Sequence, residues 1–149
     1  MIVVTGAASG LGLASAMRLT DDGYEVVGFD RAEAPATGPK CIRGDIRSAD
    51  DRNRVVEEVK AHPGVLLGMV NAAGVSPYVG PLAGIPPSRW ELTYAVNLTG
   101  LFELIRACLP LFVDSGSIVN VSSIGPRRAE HPVGAYSGSK SAVIQLTRQ

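Results

Sequence analysis

The sequence predicts an α/β fold in which a doubly wound parallel sheet carries helices on both faces. Two observations lead to this prediction. Apolar runs of strand length alternate with helix-length amphipathic stretches, and glycine, aspartate or proline bounds each run. This alternation is typical of parallel strands joined by right-handed crossover helices. The five predicted strands cover residues 2–5, 25–30, 40–43, 66–71 and 117–122.

Four helices are predicted between and after these strands. Apolar side chains recur at helical spacing until an Asp-Asp-Gly run at 21–23 ends the first helix. Ser48 and Ser88 each precede an acidic residue by one helical turn, a pattern in which a hydroxyl and a carboxylate accept hydrogen bonds from free amides. Pro110 limits the third helix. The predicted helices cover residues 11–20, 49–61, 89–108 and 136–149.

The composition limits the classes of partner. A chain of 149 residues that is 46% hydrophobic is expected to form one domain around one core. Lysine and arginine number 14 and so do aspartate and glutamate, so no overall field favours nucleic acid or an anionic membrane. The apolar runs are far shorter than the roughly 20 residues that span a bilayer, and no charged leader precedes Ile2. Cys41 and Cys108 lack the spacing of a redox or zinc pair, so a reducing cytoplasm and no metal are expected.

The loop after the first strand has the composition of a dinucleotide-binding turn. It reads Thr-Gly-Ala-Ala-Ser-Gly-Leu-Gly over residues 5–12 and leads into the first predicted helix. A pyrophosphate at a helix N-terminus needs free backbone amides and glycines that permit close approach. A tight strand-to-helix turn also needs glycine, so the loop alone leaves both interpretations open. The predicted cofactor contacts in this loop are Gly6, Ser9, Gly10, Leu11 and Gly12.

Asp30 supports the dinucleotide interpretation. It ends the second predicted strand, close to the roughly 20-residue offset at which a carboxylate accepts hydrogen bonds from the adenosine ribose. Such a carboxylate repels a 2′-phosphate, so NAD is favoured over NADP. Arg31 follows directly and could pair with a 2′-phosphate; the favoured alternative is that it is a solvated loop residue.

Tyr136 and Lys140 are candidates for proton transfer. They lie one helical turn apart, so their side chains share a face of the last predicted helix. An ammonium beside a phenol favours the phenolate, and the phenol can then act as an acid and a base. Ser122 and Ser123 close the fifth predicted strand, at the sheet edge where α/β folds bind ligands. Each feature has a structural alternative, a surface helix for the Tyr-Lys pair and strand-end capping for the serines.

Together these motifs resemble the short-chain dehydrogenase/reductase family. The resemblance rests on Thr-Gly-x-x-x-Gly-x-Gly at 5–12, Asn-Ala-Ala-Gly at 71–74, Asn97, Ser123 and Tyr136-x-x-x-Lys140. It implies a Rossmann-like sheet with strand order 3-2-1-4-5 and a nicotinamide cofactor. It also implies a catalytic tetrad of Asn97, Ser123, Tyr136 and Lys140, with the last two also binding the cofactor. The further implied cofactor contacts are Asp45 and Ile46 at the adenine, and Asn71, Ala72, Ala73 and Gly74 at the end of the fourth strand.

The resemblance assigns a role to each residue of the tetrad. Tyr136 transfers the proton, Ser123 orients the substrate oxygen, Lys140 favours the phenolate and binds the nicotinamide ribose, and Asn97 holds a relay water. The implied reaction moves a hydride between the nicotinamide and a secondary alcohol or carbonyl compound. A homo-oligomer is expected, with no nucleic-acid or membrane partner. Ala72 departs from the second asparagine frequent in the family, and its small size still permits close approach.

The chain is shorter than members of this family generally are. No stop signal precedes Gln149, so the last predicted helix is expected to be still running there and the family fold to be truncated after the helix that follows the fifth strand. The 149-residue chain alone is then expected to turn over weakly or not at all, because much of the substrate-covering wall is missing. The alternative is a non-catalytic dinucleotide-binding or interaction module; NAD-assisted epimerisation or dehydration ranks last. Arg127, Arg128 and His131 could meet an acidic substrate group, although solvated loop charge is favoured.

Overall fold

The computed structural model describes residues 1–125 and 133–149. Its centre is a five-stranded parallel sheet in the order β3-β2-β1-β4-β5, which confirms the predicted strand order. The strands are β1 (Ile2–Thr5), β2 (Val26–Asp30), β3 (Cys41–Arg43), β4 (Leu66–Asn71) and β5 (Phe112–Asn120). All five carboxyl ends therefore lie at one edge of the sheet.

Five α-helices surround this sheet in the described residues. A π-helical segment, Ala95–Gly100, joins two of them into one long helix. Segments of this kind are rare and often mark functional sites. The helices are α1 (Gly10–Asp21), α2 (Ala49–Ala61), α3 (Pro87–Tyr94), α4 (Leu101–Cys108) and α5 (Gly134–Thr147).

The two faces of the sheet bury separate apolar clusters. Successive residues of a strand point to opposite faces, so Val3 of β1 packs with residues of α2 and α4 while Val4 packs with Ala16 of α1. Both valines are fully buried. Helix α5 packs on α3 and on the π-helical segment. The sheet is thus covered on both faces, as the alternating pattern predicted.

One face of the long helix Pro87–Leu111 is buried in the core, and the helix also exposes large apolar side chains such as Trp90 and Phe102. Within residues 1–125 and 133–149 it is the one helix whose length and mean hydropathy, 1.2, would suffice to cross a membrane. Its inward side chains Leu101, Leu104 and Cys108 are buried. A helix packed on a sheet needs such an apolar face. The short apolar runs of the sequence did not indicate this property.

Helix α3 starts earlier than predicted, and its predicted Ser88 cap was wrong. The helix begins at Pro87, the preceding Pro86 is the N-cap residue, and no side chain caps it. Proline suits the first helical position because it has no N–H to satisfy and its φ is already helical. Ser48 caps α2 as predicted, since its Oγ accepts a hydrogen bond from the Asp51 amide at 3.2 Å.

Several other boundaries also differ from the predictions. Strand β5 begins at Phe112, because a register shift against β4 lets Phe112 pair with Leu66 before the Asp-Ser-Gly run that resembles a turn. It ends at Asn120, so Ser122 follows the strand. Helix α5 spans Gly134–Thr147 instead of 136–149, and β2 and β3 each begin one residue later than predicted. Helix and strand ends fray by one or two residues, which sequence patterns do not resolve.

Candidate active site

A cleft of about 880 Å³ opens at the carboxyl edge of the sheet. Each of the five strands contributes residues to its wall at or just beyond the point where that strand ends. Open α/β sheets bind ligands at this edge. The strand-end residues of the wall are Gly6, Asp30, Gly44, Ala72 and Val121.

The glycine loop forms one wall of the cleft from backbone. Gly6 and Gly10 have φ of +72° and +52°, in the region that favours glycine. A Cβ on Gly12 would lie 2.1 Å from the Gly6 carbonyl oxygen, so the start of α1 rests directly on the loop. Ser9, the N-cap residue, makes no side-chain cap bond. The first amides of α1 therefore remain available to an anion, and Leu11 lines the same wall.

Asp30 is held in place by the backbone on both sides. Its Oδ2 accepts a hydrogen bond from the Ala8 amide of the glycine loop at 3.0 Å, and its Oδ1 accepts one from the Ala32 amide at 2.8 Å. The carboxylate and the neighbouring Arg31 both line the cleft. The carbonyl of Arg31 accepts a hydrogen bond from Arg43 Nε at 3.3 Å, which fixes this stretch of backbone.

Asp45 and Ile46 line the cleft beyond β3. The Arg47 guanidinium hydrogen-bonds the Asp45 carboxylate, with Nη2 2.5 Å from Oδ2. This pairing holds the pKa of Asp45 below its ordinary value. The Asp45 amide donates to the Asp51 carboxylate of α2 at 2.9 Å, so the loop after β3 is tied to that helix.

The end of β4 approaches the glycine loop closely. A Cβ on Gly6 would lie 2.8 Å from the Ala73 amide nitrogen, and that amide donates to Thr5 Oγ1 at 3.2 Å. Ala72, Ala73 and Gly74 line the cleft. Asn71 is buried and is not among the lining residues; its Nδ2 donates to Asn120 Oδ1 at 2.9 Å. Asn71 therefore joins β4 to β5 beneath the site.

Tyr136 and Lys140 both line the cleft from α5. The Lys140 ammonium lies 5.9 Å from the centre of the Tyr136 ring and donates to the Val121 carbonyl at 2.8 Å. Lys140 is only 3% exposed, and burial lowers the pKa of its ammonium. The structure thus brings the predicted proton-transfer pair together beside the end of β5.

Asn97 lies on the π-helical segment, and both hydrogens of its side-chain nitrogen are donated to other groups of the protein. Its Oδ1 accepts from the Val75 amide at 2.7 Å, and its Nδ2 donates to the Val75 carbonyl at 2.9 Å and to Ser139 Oγ at 3.0 Å. Asn97 is 1% exposed and is not among the cleft-lining residues. Its side chain fixes the loop after β4 against α5.

The two serines after β5 differ in their hydrogen bonds. Ser122 lines the cleft, but its hydroxyl donates to the Lys140 carbonyl at 2.8 Å. Ser123 Oγ accepts from the Gly125 amide at 3.3 Å, and Ser123 is not among the lining residues. Arg127, Arg128 and His131, the predicted contacts for an acidic group, lie outside the described residues.

A match to a protein-family model identifies the family of this chain. The family model described as short chain dehydrogenase matches residues 1–149. The chain belongs to the short-chain dehydrogenase family. Asnovolin H dehydrogenase of Aspergillus novofumigatus is similar to this chain, with 33% identity over 99% of the chain, which spans 61% of that relative's length.

Solved structures show the same similarity. The ligand-free aldohexose dehydrogenase of Thermoplasma acidophilum is similar to this chain, with a TM-score of 0.92 and 29% identity, covering 99% of this chain and 58% of that one. A 4-hydroxyisoleucine dehydrogenase, solved in complex with NADH and succinate, gives a TM-score of 0.88 and 26% identity, covering 100% of this chain and 71% of that one. This chain therefore represents about three fifths to seven tenths of these relatives.

Some residues in and around the site were not indicated by the sequence patterns. Arg89, Leu92 and Val96 line the cleft from one face of α3 and the π-helical segment, where their helical spacing could have been noticed. Ser139 gave no signal, because its importance comes from contacts across elements. Among residues 1–125 and 133–149, no group of three His, Cys, Asp or Glu side chains could hold a metal ion.

Proposed function

We propose that the whole protein is an NAD-dependent oxidoreductase that acts on a secondary alcohol or carbonyl compound. The observation that carries this proposal is that Asp30, the glycine loop, Tyr136 and Lys140 all line one continuous cleft. The glycine loop and Asp30, which together form the dinucleotide cradle, thus share one cleft with the proton-transfer pair Tyr136 and Lys140. When bound, a nicotinamide cofactor accepts or supplies the hydride. The remaining chemistry, which is proton transfer and orientation, falls to the side chains of the protein.

The residues present fit a dinucleotide. Gly10 lines the cleft, and a Cβ there would meet no atom within 4 Å, so the backbone leaves open space beside the amides of α1. These amides would hold the pyrophosphate, Asp30 the adenosine ribose, and Asp45 with Ile46 the adenine side. The backbone bonds that orient Asp30 favour NAD, since they keep a carboxylate where NADP carries its 2′-phosphate. The NADH bound to the related 4-hydroxyisoleucine dehydrogenase supports the same choice.

Tyr136 would exchange a proton with the substrate oxygen. The ammonium of Lys140 lies beside the ring, where it would offset the negative charge that develops on the Tyr136 oxygen as the proton leaves. Ser123 would orient the substrate oxygen. Ser123 Oγ accepts a hydrogen bond from the Gly125 amide, whereas the Ser122 hydroxyl donates to the Lys140 carbonyl on α5, so Ser123 is the better candidate of the two serines.

Asn97 would fix the loop after β4 against α5, and its Oδ1 would accept a hydrogen bond from a relay water. Both hydrogens of its Nδ2 are donated within the protein, so only that oxygen has bonding capacity to spare. Asn71 and the small residues at 72–74 would let the cofactor approach β4. The whole protein is further proposed to be one domain per subunit in a cytoplasmic homo-oligomer. It is also proposed to have no nucleic-acid or membrane partner, in accord with the zero net charge of these 149 residues.

The proposal is tested by Tyr136→Phe in the full-length protein. NADH formation is followed with NAD and a panel of secondary alcohols. Removal of the phenolic proton should lower kcat by about 100-fold or more. Tyr24→Phe is the matched control, because Tyr24 is exposed and is not among the cleft-lining residues, and it should behave as the wild type. Equal activity of the two variants would contradict the enzymatic role.

A second candidate function is a non-catalytic dinucleotide-binding or interaction module. The share of its relatives that the chain covers, 61% and 58%, favours this candidate for the 149-residue segment taken alone, whose turnover should be weak or absent. Fluorescence titration with NADH and NADPH measures the dinucleotide binding that both functions share, and Tyr136-dependent turnover separates them. Asp30→Asn should reduce the preference for NADH by about 10-fold through loss of the carboxylate. NADH binding without any Tyr136-dependent turnover in the full-length protein would establish the binding module.

A further inference from the structure

We propose that Ser139 is a positioning residue that sets the placement of the Tyr136–Lys140 pair. This inference rests on the proposed function, since it assigns Ser139 a part in the same proton transfer. Ser139 is fully buried on α5, between Tyr136 and Lys140 in sequence. It is not among the residues that line the cleft. Its effect on the reaction must therefore pass through the residues it contacts.

Ser139 makes two hydrogen bonds in which its hydroxyl has opposite roles. It donates to the Tyr136 carbonyl at 2.7 Å and accepts from Asn97 Nδ2 at 3.0 Å. Only a group with one hydrogen and free lone pairs can fill both roles. Alanine would leave a buried amide hydrogen of Asn97 without an acceptor, which is costly where no water reaches.

These bonds continue into the loop after β4. Asn97 also binds both backbone groups of Val75, the residue that follows Gly74. The orientation of the Asn97 amide is set by this pair, because its oxygen must face the Val75 N–H and its nitrogen the Val75 carbonyl. Its second hydrogen then points to Ser139. The Ser139 hydroxyl thus links α5 to the π-helical segment and, through Asn97, to the loop after β4.

Gly74 shows how closely these elements approach one another. A Cβ on Gly74 would lie 3.3 Å from Lys140 Nζ and 3.4 Å from Asn97 Oδ1. The ammonium and the Asn97 amide therefore pack on the same point of the loop. A shift of α5 relative to Asn97 would move Tyr136 and Lys140 together, away from their places beside the loop after β4 and the end of β5.

The experiment compares Ser139→Ala, Ser139→Thr and Ser141→Ala in the full-length protein. Ser141 lies on the same helix and bonds its hydroxyl to the Ser137 carbonyl, but it is exposed and outside the site, so it is the matched control. The first readout needs neither cofactor nor turnover. It is the NMR resonance of Tyr136 in protein labelled with [13Cζ]tyrosine, assigned by its loss in Tyr136→Phe.

Ser139→Ala should displace the Tyr136 resonance, while Ser141→Ala leaves it in place. In the turnover assay, Ser139→Ala should lower kcat about 10-fold with KM within about twofold, because misplacement of a catalytic group affects the chemical step. The pH of half-maximal activity on the acid side should also move. Ser139→Thr retains the hydroxyl and should restore both the resonance and kcat to near the wild-type values.

Three results would overturn the inference. The first is a Tyr136 resonance that is unchanged in Ser139→Ala. The second is a loss of kcat in Ser139→Ala that matches its loss of folded protein, with an unchanged pH profile, and the third is equal impairment of folded Ser139→Thr and folded Ser139→Ala. Thermal unfolding of each variant supplies the folded fraction. If Tyr136→Phe retains full activity while Ser139→Ala still displaces the resonance, the proposed function fails and the placement of Tyr136 by Ser139 stands.

Discussion

The two ends of the cleft are built by different means. Around β1, β2 and β3 the wall is largely backbone, with glycines that permit close approach and an Asp30 carboxylate fixed by two amides. Around β4, β5 and α5 the wall depends on buried polar side chains, among them Asn97, Ser139 and Lys140. The cradle can therefore be disrupted by a single added methyl group. The proton-transfer end is sensitive to lost hydrogen bonds and misplaced charge instead.

Gly12→Ala should have the largest effect, and it should act on the cradle. The new Cβ would lie 2.1 Å from the Gly6 carbonyl oxygen, so the start of α1 must move away from the loop. The expected cost is about 4 kcal/mol in the free energy of unfolding, with loss of NADH binding. Urea unfolding and NADH fluorescence measure both. Gly134→Ala, also in a first helical turn, meets no described residue more closely than Leu82 Cδ1 at 3.4 Å and should change stability little.

Lys140→Met should separate activity from stability at the other end of the cleft. Loss of the ammonium should lower kcat by about 100-fold. The same change should raise the free energy of unfolding by about 1 kcal/mol at neutral pH, because a buried charge is removed. Lys60→Met, which removes an exposed ammonium, is the control and should alter neither quantity appreciably.

The pH dependence of that difference in stability follows from the lowered pKa of Lys140. Between this folded-state pKa and about 10.4, the unfolded chain binds the proton that the folded protein releases. The stability of the wild type relative to Lys140→Met should therefore rise as the pH increases through this window. Unfolding free energies measured from pH 7 to 10.5 test the sign, and a constant difference would show that burial does not penalise the charge.

Gly74→Ala should reduce kcat by about 10-fold with little change in stability. The methyl group would press on Lys140 Nζ at 3.3 Å and displace an ammonium that must stay beside Tyr136. Gly38→Ala creates a contact of similar length, 3.3 Å to the Pro35 carbonyl oxygen, away from the site. Steady-state kinetics should show the loss only in the first variant. Equal kcat values would mean that Lys140 can shift without consequence.

Ser48→Ala and Ser88→Ala should have the smallest effects, and only the first should be measurable. The Ser48 cap on α2 is worth about 1 kcal/mol, whereas Ser88 lies inside α3 and caps nothing. Neither change should affect turnover. Thermal unfolding of the pair decides between the sequence pattern, which predicts two caps, and the structure, which has one. A similar loss in both variants would favour the pattern.

The cradle was largely predictable from sequence. Gly6, Gly12 and Asp30 are required by local backbone geometry and by a fixed offset along the chain, and such constraints leave a readable pattern. The pairing of Tyr136 with Lys140 was predictable for the same reason, since one helical turn separates them. The alternation of elements predicted a parallel sheet, and the family resemblance predicted its strand order.

Contacts between distant elements could not be predicted in this way. The bond from Asn97 to Ser139 joins residues on separate helices, and nothing in either local segment indicates it. The early start of β5 depends on its register against β4. The π-helical segment gave no periodic signal, because the spacing of a single wide turn is lost within a longer helical pattern.

The sequence by itself determined which elements form and which residue types supply the chemistry, because helical periodicity, glycine conformation and capping act over a few neighbouring residues. Only the tertiary structure decided which polar groups meet. In the folded chain the Asn97 amide bonds Val75 and Ser139, and the Ser122 hydroxyl donates to the Lys140 carbonyl on α5. The Lys140 ammonium is buried. Such choices depend on packing and on the satisfaction of buried hydrogen bonds, which are properties of the whole assembly of elements.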